Sequence, residues 1–486
     1  MARFDRRSFL VRSGAFAGGA LLAPPLLQTM TGVVGATAMA GGYGPLQPVV
    51  PANEPGGFAY LALPAGFSYV VFGKTKRRMT DGITPYPQNH DGMAAFALPN
   101  GQVRLTRNAE DRNPPGMGSV GGPAGSRYDP RGGGGVTVID FDIEDRAVVN
   151  DFIGINGTIV NCAGGIAYRK VGWLTCEETT AGPEEGWAEK HGYVFLLPAD
   201  ATATVPAEPL RAMGRFSHEA AVAGPFTGTI YMTEDAGSGR GSGLYRFVPD
   251  DPDDLTRGGK LFMLGIKDHP RADLREGQRV GRKLPVRWLP VHDPDPDPVV
   301  DIDEPGANSC FAQGYAAGGA LFNRLEGIWR ARYGFVFTST SGGDAKNGDV
   351  NDDGYEEGFG QVWRYIPKSN TVVLEYQSPG GGVLDSPDNL TVSPRGGILL
   401  CEDDASSGDG DTHPLAPGIT DVNRLVGVGS PGGAFEFAVN RFNDTEFAGA
   451  CYSPDGSTLF VNIFGNDTVD SGMTCAITGP WERGRL

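Results

Sequence analysis

The stretch Trp173-Leu174-Thr175-Cys176-Glu177-Glu178 runs as an apolar, strand-forming segment and stops on one thiol and two carboxylates. The pattern returns as Tyr231-Met232-Thr233-Glu234-Asp235 and as Leu399-Leu400-Cys401-Glu402-Asp403-Asp404. Each copy opens near a glycine and is followed by a loop and a second apolar strand. Gly172 to Glu178 pairs with Gly192 to Pro198, Gly228 to Asp235 with Gly243 to Pro249, Gly334 to Ser341 with Gly360 to Pro367, and Gly396 to Asp403 with Gly432 to Asn440. A last copy runs from Ser457 to Phe464. With Trp173, Ile230, Phe335, Ile398 and Leu459 as equivalent points, the spacings are 57, 105, 63 and 61 residues, and the long one holds an insertion with the Asp/Pro segment His292 to Pro305. A period of roughly 50 to 60 residues built from short strands predicts an all-β chain folded as a β-propeller with long inserted loops. In that architecture equivalent strand ends gather at one mouth of a central channel, so the acids of separate blades converge.

Composition agrees. The 486 residues include 74 Gly and 37 Pro, and helical periodicity is scarce. Lys and Arg number 41 against 58 Asp and Glu, a formal charge of -17. Such a field excludes a nucleic-acid partner and an anionic membrane surface, and it repels an anionic substrate unless bound cations invert the local sign. At the N-terminus, Asp5-Arg6-Arg7-Ser8-Phe9-Leu10 precedes a Gly- and Ala-rich apolar stretch and the small-residue site Ala38-Met39-Ala40. This reads as a signal for the twin-arginine export machinery over residues 1–40, with a periplasmic or extracellular destination. A Gly/Pro-rich lead over 41–57 and a single propeller domain over 58–486 complete the expected organisation. The six cysteines are too few for a disulfide scaffold.

The acids give the expected site. Candidates for the mouth are Cys176, Glu177, Glu178, Glu219, Glu234, Asp235, Glu326, Asp388, Glu402 and Asp403. A thiol beside carboxylates is a poor nucleophile, because neighbouring negative charge disfavours the thiolate, whereas a cation deprotonates a coordinating thiol and favours clustered acids. Oxygen donors suit calcium, and a thiolate among them suits a transition metal such as iron. The alternative for each strand end is a buried structural Cys followed by solvated turn acids. Arg324, two residues before Glu326, is a planar fork suited to an anion or to a structural ion pair.

The chain resembles the PhoX family of twin-arginine-exported alkaline phosphatases through Asn161-Cys162-Ala163-Gly164-Gly165, Trp173 to Glu178, Phe216 to Ala221, Tyr231 to Asp235, Phe322 to Gly327, Glu446-Phe447-Ala448-Gly449, Ser453 to Asn462 and Ala476 to Trp481. The resemblance implies a six-bladed propeller that hydrolyses small-molecule phosphomonoesters with calcium (Ca2+) and ferric iron (Fe3+) in one cluster. It implies Cys176 as an iron ligand, Glu219, Glu234 and Glu326 as metal carboxylates, and Arg324 as a phosphate contact. Glu177, Asp388 and Glu402 complete the expected ligand set, and the expected state is a monomer. Two other readings share the fold: a calcium-dependent propeller lactonase and a noncatalytic calcium-binding propeller.

Overall fold

The computed structural model describes residues 42–351, 354–404, 410–429 and 433–486; the twin-arginine segment lies outside them. The regular secondary structure of the described residues is almost wholly strand, in antiparallel meanders of three or four strands. The first unit is His90–Ala97, Gln102–Ala109, Gly134–Asp142 and Ala147–Thr158. The second has three strands, Asn161–Ile166, Gly172–Glu177 and Val194–Pro198, and the third four, His218–Ala223, Ile230–Glu234, Leu244–Pro249 and Gly259–Ile266. The fourth is Leu325–Ala331, Gly334–Ser339, Gln361–Ile366 and Thr371–Gln377; the fifth is Pro387–Val392, Ile398–Glu402, Arg424–Gly429 and Gly433–Asn440. The sixth begins with Phe447–Tyr452, Thr458–Ile463 and Met473–Thr478 and takes its outer strand, Ser68–Phe72, from the opposite end of the chain.

The first strands of the six units touch in sequence, and the sixth touches the first, so they close a ring around a channel. This is a β-propeller. Ring closure joins the two ends of the propeller through five paired residues, from Thr474↔Phe72 to Thr478↔Ser68, which removes an exposed sheet edge. Strands are apolar on both faces because each sheet is sandwiched between neighbours. One core cluster packs Leu174, Cys176 and Val194 of the second unit on Ile230, Met232 and Tyr245 of the third, and another packs Leu399 and Cys401 of the fifth on Leu459 and Cys475 of the sixth.

The observed pairings depart from the sequence reading in two places. Ile398–Glu402 pairs with Arg424–Gly429, while Gly433–Asn440 is the next strand out. Arg424–Gly429 has the glycines Gly427 and Gly429 inside it and lacks the aromatic ending of its counterparts, which hides it from pattern reading. The lead over 41–57 is also not featureless: Leu46–Val49 pairs with Leu61–Pro64, and both extend the fifth unit's sheet. The insertion between the third and fourth units holds strand Lys283–Val291, which bridges the two sheets, and the one-turn-plus helix Cys310–Ala316, capped by Ser309 Oγ accepting from the Ala312 amide at 3.0 Å.

Candidate metal centre

All six first strands carry the same irregularity. Between His90↔Ala109 and Met93↔Arg107 the first strand advances three residues while its partner advances two, and the same shift separates Asn161 from Gly164, His218 from Ala221, Leu325 from Ile328, Pro387 from Leu390 and Ala448 from Cys451. These are β-bulges, which bend a strand and re-aim a side chain. In five of the units the bulge begins on a residue able to bind a cation: Asp91, Cys162, Glu219, Glu326 and Asp388. The sixth bulge lies one residue farther along, at Gly449 and Ala450, and its acid is Glu446, just before the strand. Ahead of four of the bulges the chain turns through the left-handed region at Asn89, Val160, Arg324 and Ser386, with φ of 53°, 47°, 39° and 41°. For the β-branched Val160 this conformation is strained, as residues at functional sites often are.

After four of the five bulging donors stands a small residue, Gly92, Ala163, Ala220 or Gly327, and after Asp388 stands Asn389; at the two glycines the packing shows why. A β-carbon on Gly92 would sit 2.5 Å from Ala163 Cα in the next unit, and one on Gly327 would sit 3.0 Å from Asp388 O.

A second layer of acids comes from the residue just past the end of four of the second strands, Glu110, Glu178, Asp235 and Asp403. Period-two alternation sends Glu110, Glu178 and Asp403 toward the bulge residues, and their predecessors into the blades. Four sets of donor atoms result, each within 4.8 Å of one another: Asp91, Glu110 and Cys162; Cys162, Glu178 and Glu219; Glu219, Glu326 and Asp388; Asp388, Asp403 and Glu446. Cys162, Glu219 and Asp388 are each shared by two sets, so the four form one continuous cluster. Arg324 stands beside it, donating from Nη2 to Asp235 Oδ2 and to Glu326 Oε1, both at 2.9 Å, and from Nε to Asp235 Oδ1 at 3.2 Å.

The donor set fits cations. Glu219 is fully buried, and neither of its carboxylate oxygens has a hydrogen-bond partner among the described residues; Asp91 Oδ1 is in the same state. Leaving such groups unpaired is costly, and a bound cation would satisfy them. Without one, burial pushes the Glu219 carboxyl well above its ordinary value, and Glu326, Asp388, Glu178 and Asp91 push it further. Burial, followed by Asp91, Glu219, Glu110 and Glu178, raises the Cys162 thiol, and burial followed by nearby acids raises Asp91, Glu326 and Glu446. These folded-state values lie above those of the unfolded chain. The metal-free fold therefore keeps protons that the unfolded chain loses above about pH 4, and its stability falls as pH rises through the elevated values. The gap in melting temperature between metal-loaded and chelator-treated protein should widen steadily from about pH 5 to pH 8; a gap independent of pH would contradict this assignment.

Four residues expected at this site are elsewhere. Cys176 is fully buried in the apolar core between the second and third units, opposite Val194. It sits on a second strand, whose side chains face the neighbouring sheets and not the channel. Glu177 accepts from the amides of Ile159, Gly192 and Tyr193 at 3.1, 2.9 and 3.2 Å, and His191 Nδ1 lies 2.7 Å from its Oε1. Glu234 accepts from Tyr245 Oη at 2.7 Å, Arg240 Nη2 at 2.9 Å and the Gly243 amide at 3.0 Å. Glu402 takes a two-pronged ion pair from Arg424, 2.7 Å from both Nε and Nη2, and the amides of Asp385 and Arg424 at 2.8 and 2.9 Å. Each of these acids ties the end of a second strand to the start of the third, satisfying backbone amides that the sheet leaves unpaired. Glu219, Glu326 and Asp388 are brought together, with Arg324 adjacent. Asp91, Glu110, Cys162 and Glu446 were missed as donors, although the recurring pair of donor and small residue, as in Asp91-Gly92 and Cys162-Ala163, is written in the sequence.

The Cys162 bulge is itself held from outside the cluster. Asn108 Nδ2 donates at 2.8 Å to the carbonyls of both Cys162 and Ala163, while its Oδ1 accepts from Trp173 Nε1 at 2.9 Å and Thr175 Oγ1 at 3.0 Å. Asn108→Asp keeps the acceptor and removes both donors. It should lower cation affinity by about 10- to 100-fold in protein that still folds, as read by titration calorimetry; unchanged affinity would show that the bulge holds its shape unaided.

Comparison with known proteins gives a match to the family model for alkaline phosphatase PhoX over residues 42–467. Among solved structures, Pseudomonas fluorescens PhoX in complex with vanadate, a transition state analogue, is similar with a TM-score of 0.62 at 18% identity, over 91% of this chain and 98% of that one. XC5397 from Xanthomonas campestris, a gluconolactonase, overlaps 90% of this chain and 98% of its own at 11% identity, with a TM-score of 0.41. Comparison with curated protein sequences gives no match. Among the described residues no helix is long and apolar enough to cross a membrane.

Proposed function

The chain belongs to the alkaline phosphatase PhoX family, and from that premise we propose that it hydrolyses phosphate monoesters with calcium and ferric iron held in the bulge cluster. The observation that carries the reading is Glu219: a fully buried carboxylate, shared by two donor sets, with neither oxygen partnered among the described residues. Asp91, Glu110, Cys162, Glu178, Glu219, Glu326, Asp388, Asp403 and Glu446 would hold the cations. A thiolate suits iron, which would sit nearest Cys162, and the all-carboxylate set of Glu219, Glu326 and Asp388 suits calcium. Bound there, the cations supply Lewis-acid charge against the phosphoryl oxygens.

The remaining work falls to the chain. Asp235 and Glu326 hold the Arg324 guanidinium in a fixed plane at the cluster, so its fork is preset to meet developing charge on the equatorial oxygens without reorganising. The left-handed turn at Arg324 brings its backbone to the channel. Asp91, Glu219, Glu326 and Asp388 are all buried, and a low local dielectric strengthens each of these interactions. Export through the twin-arginine route, which carries folded proteins, suits a protein that loads its cations before leaving. The protein is read as a monomer acting outside the cytoplasmic membrane.

Purified mature protein supplied with calcium and iron should release inorganic phosphate from a chromogenic monoester at alkaline pH, and chelation should abolish the release. Protein with full cation content that turns over no member of a broad monoester panel would refute the reading.

A further inference from the structure

Arg112 lies three residues beyond strand Gln102–Ala109, at the same end of the channel as the cluster. Its Nη2 contacts Glu110 of its own unit and Glu178 of the next. Both acids belong to donor sets that include Cys162. The two arginines at the mouth are held differently. The Arg324 side chain is 18% exposed and wedged between Asp235 and Glu326, whereas that of Arg112 is 47% exposed and meets both its acids through the single nitrogen Nη2.

A guanidinium nitrogen and a metal cation seek the same oxygens of Glu110 and Glu178. A cation drawn to those carboxylates also repels the guanidinium beside it, since like charges a few ångströms apart in a partly buried site interact strongly. The half-exposed side chain has space to leave, and Arg324 does not. Resting on the cation-binding role proposed above, we propose that Arg112 is the cation these acids hold before metal arrives, and that cation uptake turns it outward to bind an oxygen of the substrate phosphate, complementing Arg324. The fork geometry of Arg suits that second partner as it suits a carboxylate.

Arg112→Met removes the charge and keeps an unbranched side chain; Arg112→Gln serves in the same way if the first variant does not fold. In calorimetric titration of chelator-treated full-length mature protein, the variant should bind calcium about tenfold more tightly than wild type, because nothing has to be displaced. In the loaded enzyme, the inhibition constant of inorganic phosphate should rise about tenfold, reflecting a lost charge-assisted hydrogen bond. Calcium affinity that is unchanged or weaker would overturn the proposal and leave Arg112 as a structural ion pair. Tighter calcium binding with unchanged phosphate inhibition would equally overturn the assigned contact to substrate. Wild-type protein that takes up no calcium would remove the premise, an outcome distinct from equal affinities in the two proteins.

Discussion

Cys162→Ser protein is expected to fold, to lack iron and to lose phosphatase activity by roughly 100-fold or more, since even the outer partners of metal ligands cost about 10- to 100-fold when changed. The thiol lies on a channel-facing bulge within 4.8 Å of donor atoms from Asp91, Glu110, Glu178 and Glu219. A neutral hydroxyl is a weak substitute for a thiolate ligand. Cys176→Ser is the matched control. That residue is buried among Leu174, Val194 and Met232, so the change should cost about 1 to 3 kcal/mol from burying a hydroxyl and leave iron content and activity intact. Iron lost from the Cys176 variant and kept in the Cys162 variant would restore the assignment made from the sequence.

Glu402→Gln should produce the largest loss of stability, about 3 kcal/mol, because it leaves a buried guanidinium with only its longer contact to Glu436 at 3.4 Å as a charge partner. Arg424 and Glu402 have side chains 6% and 0% exposed and meet through two contacts of 2.7 Å. Denaturant unfolding followed by tryptophan fluorescence reads the change, and cation content in the folded fraction should match wild type. A variant of normal stability that has lost cations would instead make Glu402 a ligand.

The contrast between these two residues shows what the sequence made legible. Strand ends rich in acids revealed the repeat, and the repeat revealed the propeller, because the backbone period is imprinted on glycine and apolar spacing. It did not reveal which acids face the channel. Cys176-Glu177-Glu178 contains a core thiol, an acid capping the next strand and a cluster acid in three consecutive positions. Composition treats them alike, and only the alternation of the strand and its place one step from the channel tell them apart. The first unit went unrecognised for a related reason: its donors Asp91 and Glu110 are separated by a hairpin in which Arg104 and Arg107 interrupt the apolar pattern. Both arginines are buried, Arg104 in a paired contact with Asp140 and Arg107 bound to Gly73 O and Thr474 Oγ1. Glu219 and Glu326 were legible through the family motifs Phe216 to Ala221 and Phe322 to Gly327, and Asp388 as one of the acids expected at the mouth. The bulges that aim the donors depend on tertiary packing, since the second residue of two of them, Gly92 and Gly327, has a neighbouring unit's backbone where a β-carbon would sit.

The central claim is that cations occupy the bulge cluster. Anomalous diffraction from crystals of the mature protein, purified with calcium and iron, tests it most directly. The account predicts peaks confined to the channel between Asp91, Cys162, Glu219, Glu326, Asp388 and Glu446, with the iron signal adjacent to Cys162 Sγ. Strong peaks beside Cys176 and Glu177, or a channel without peaks while the protein carries its metal elsewhere, would contradict it.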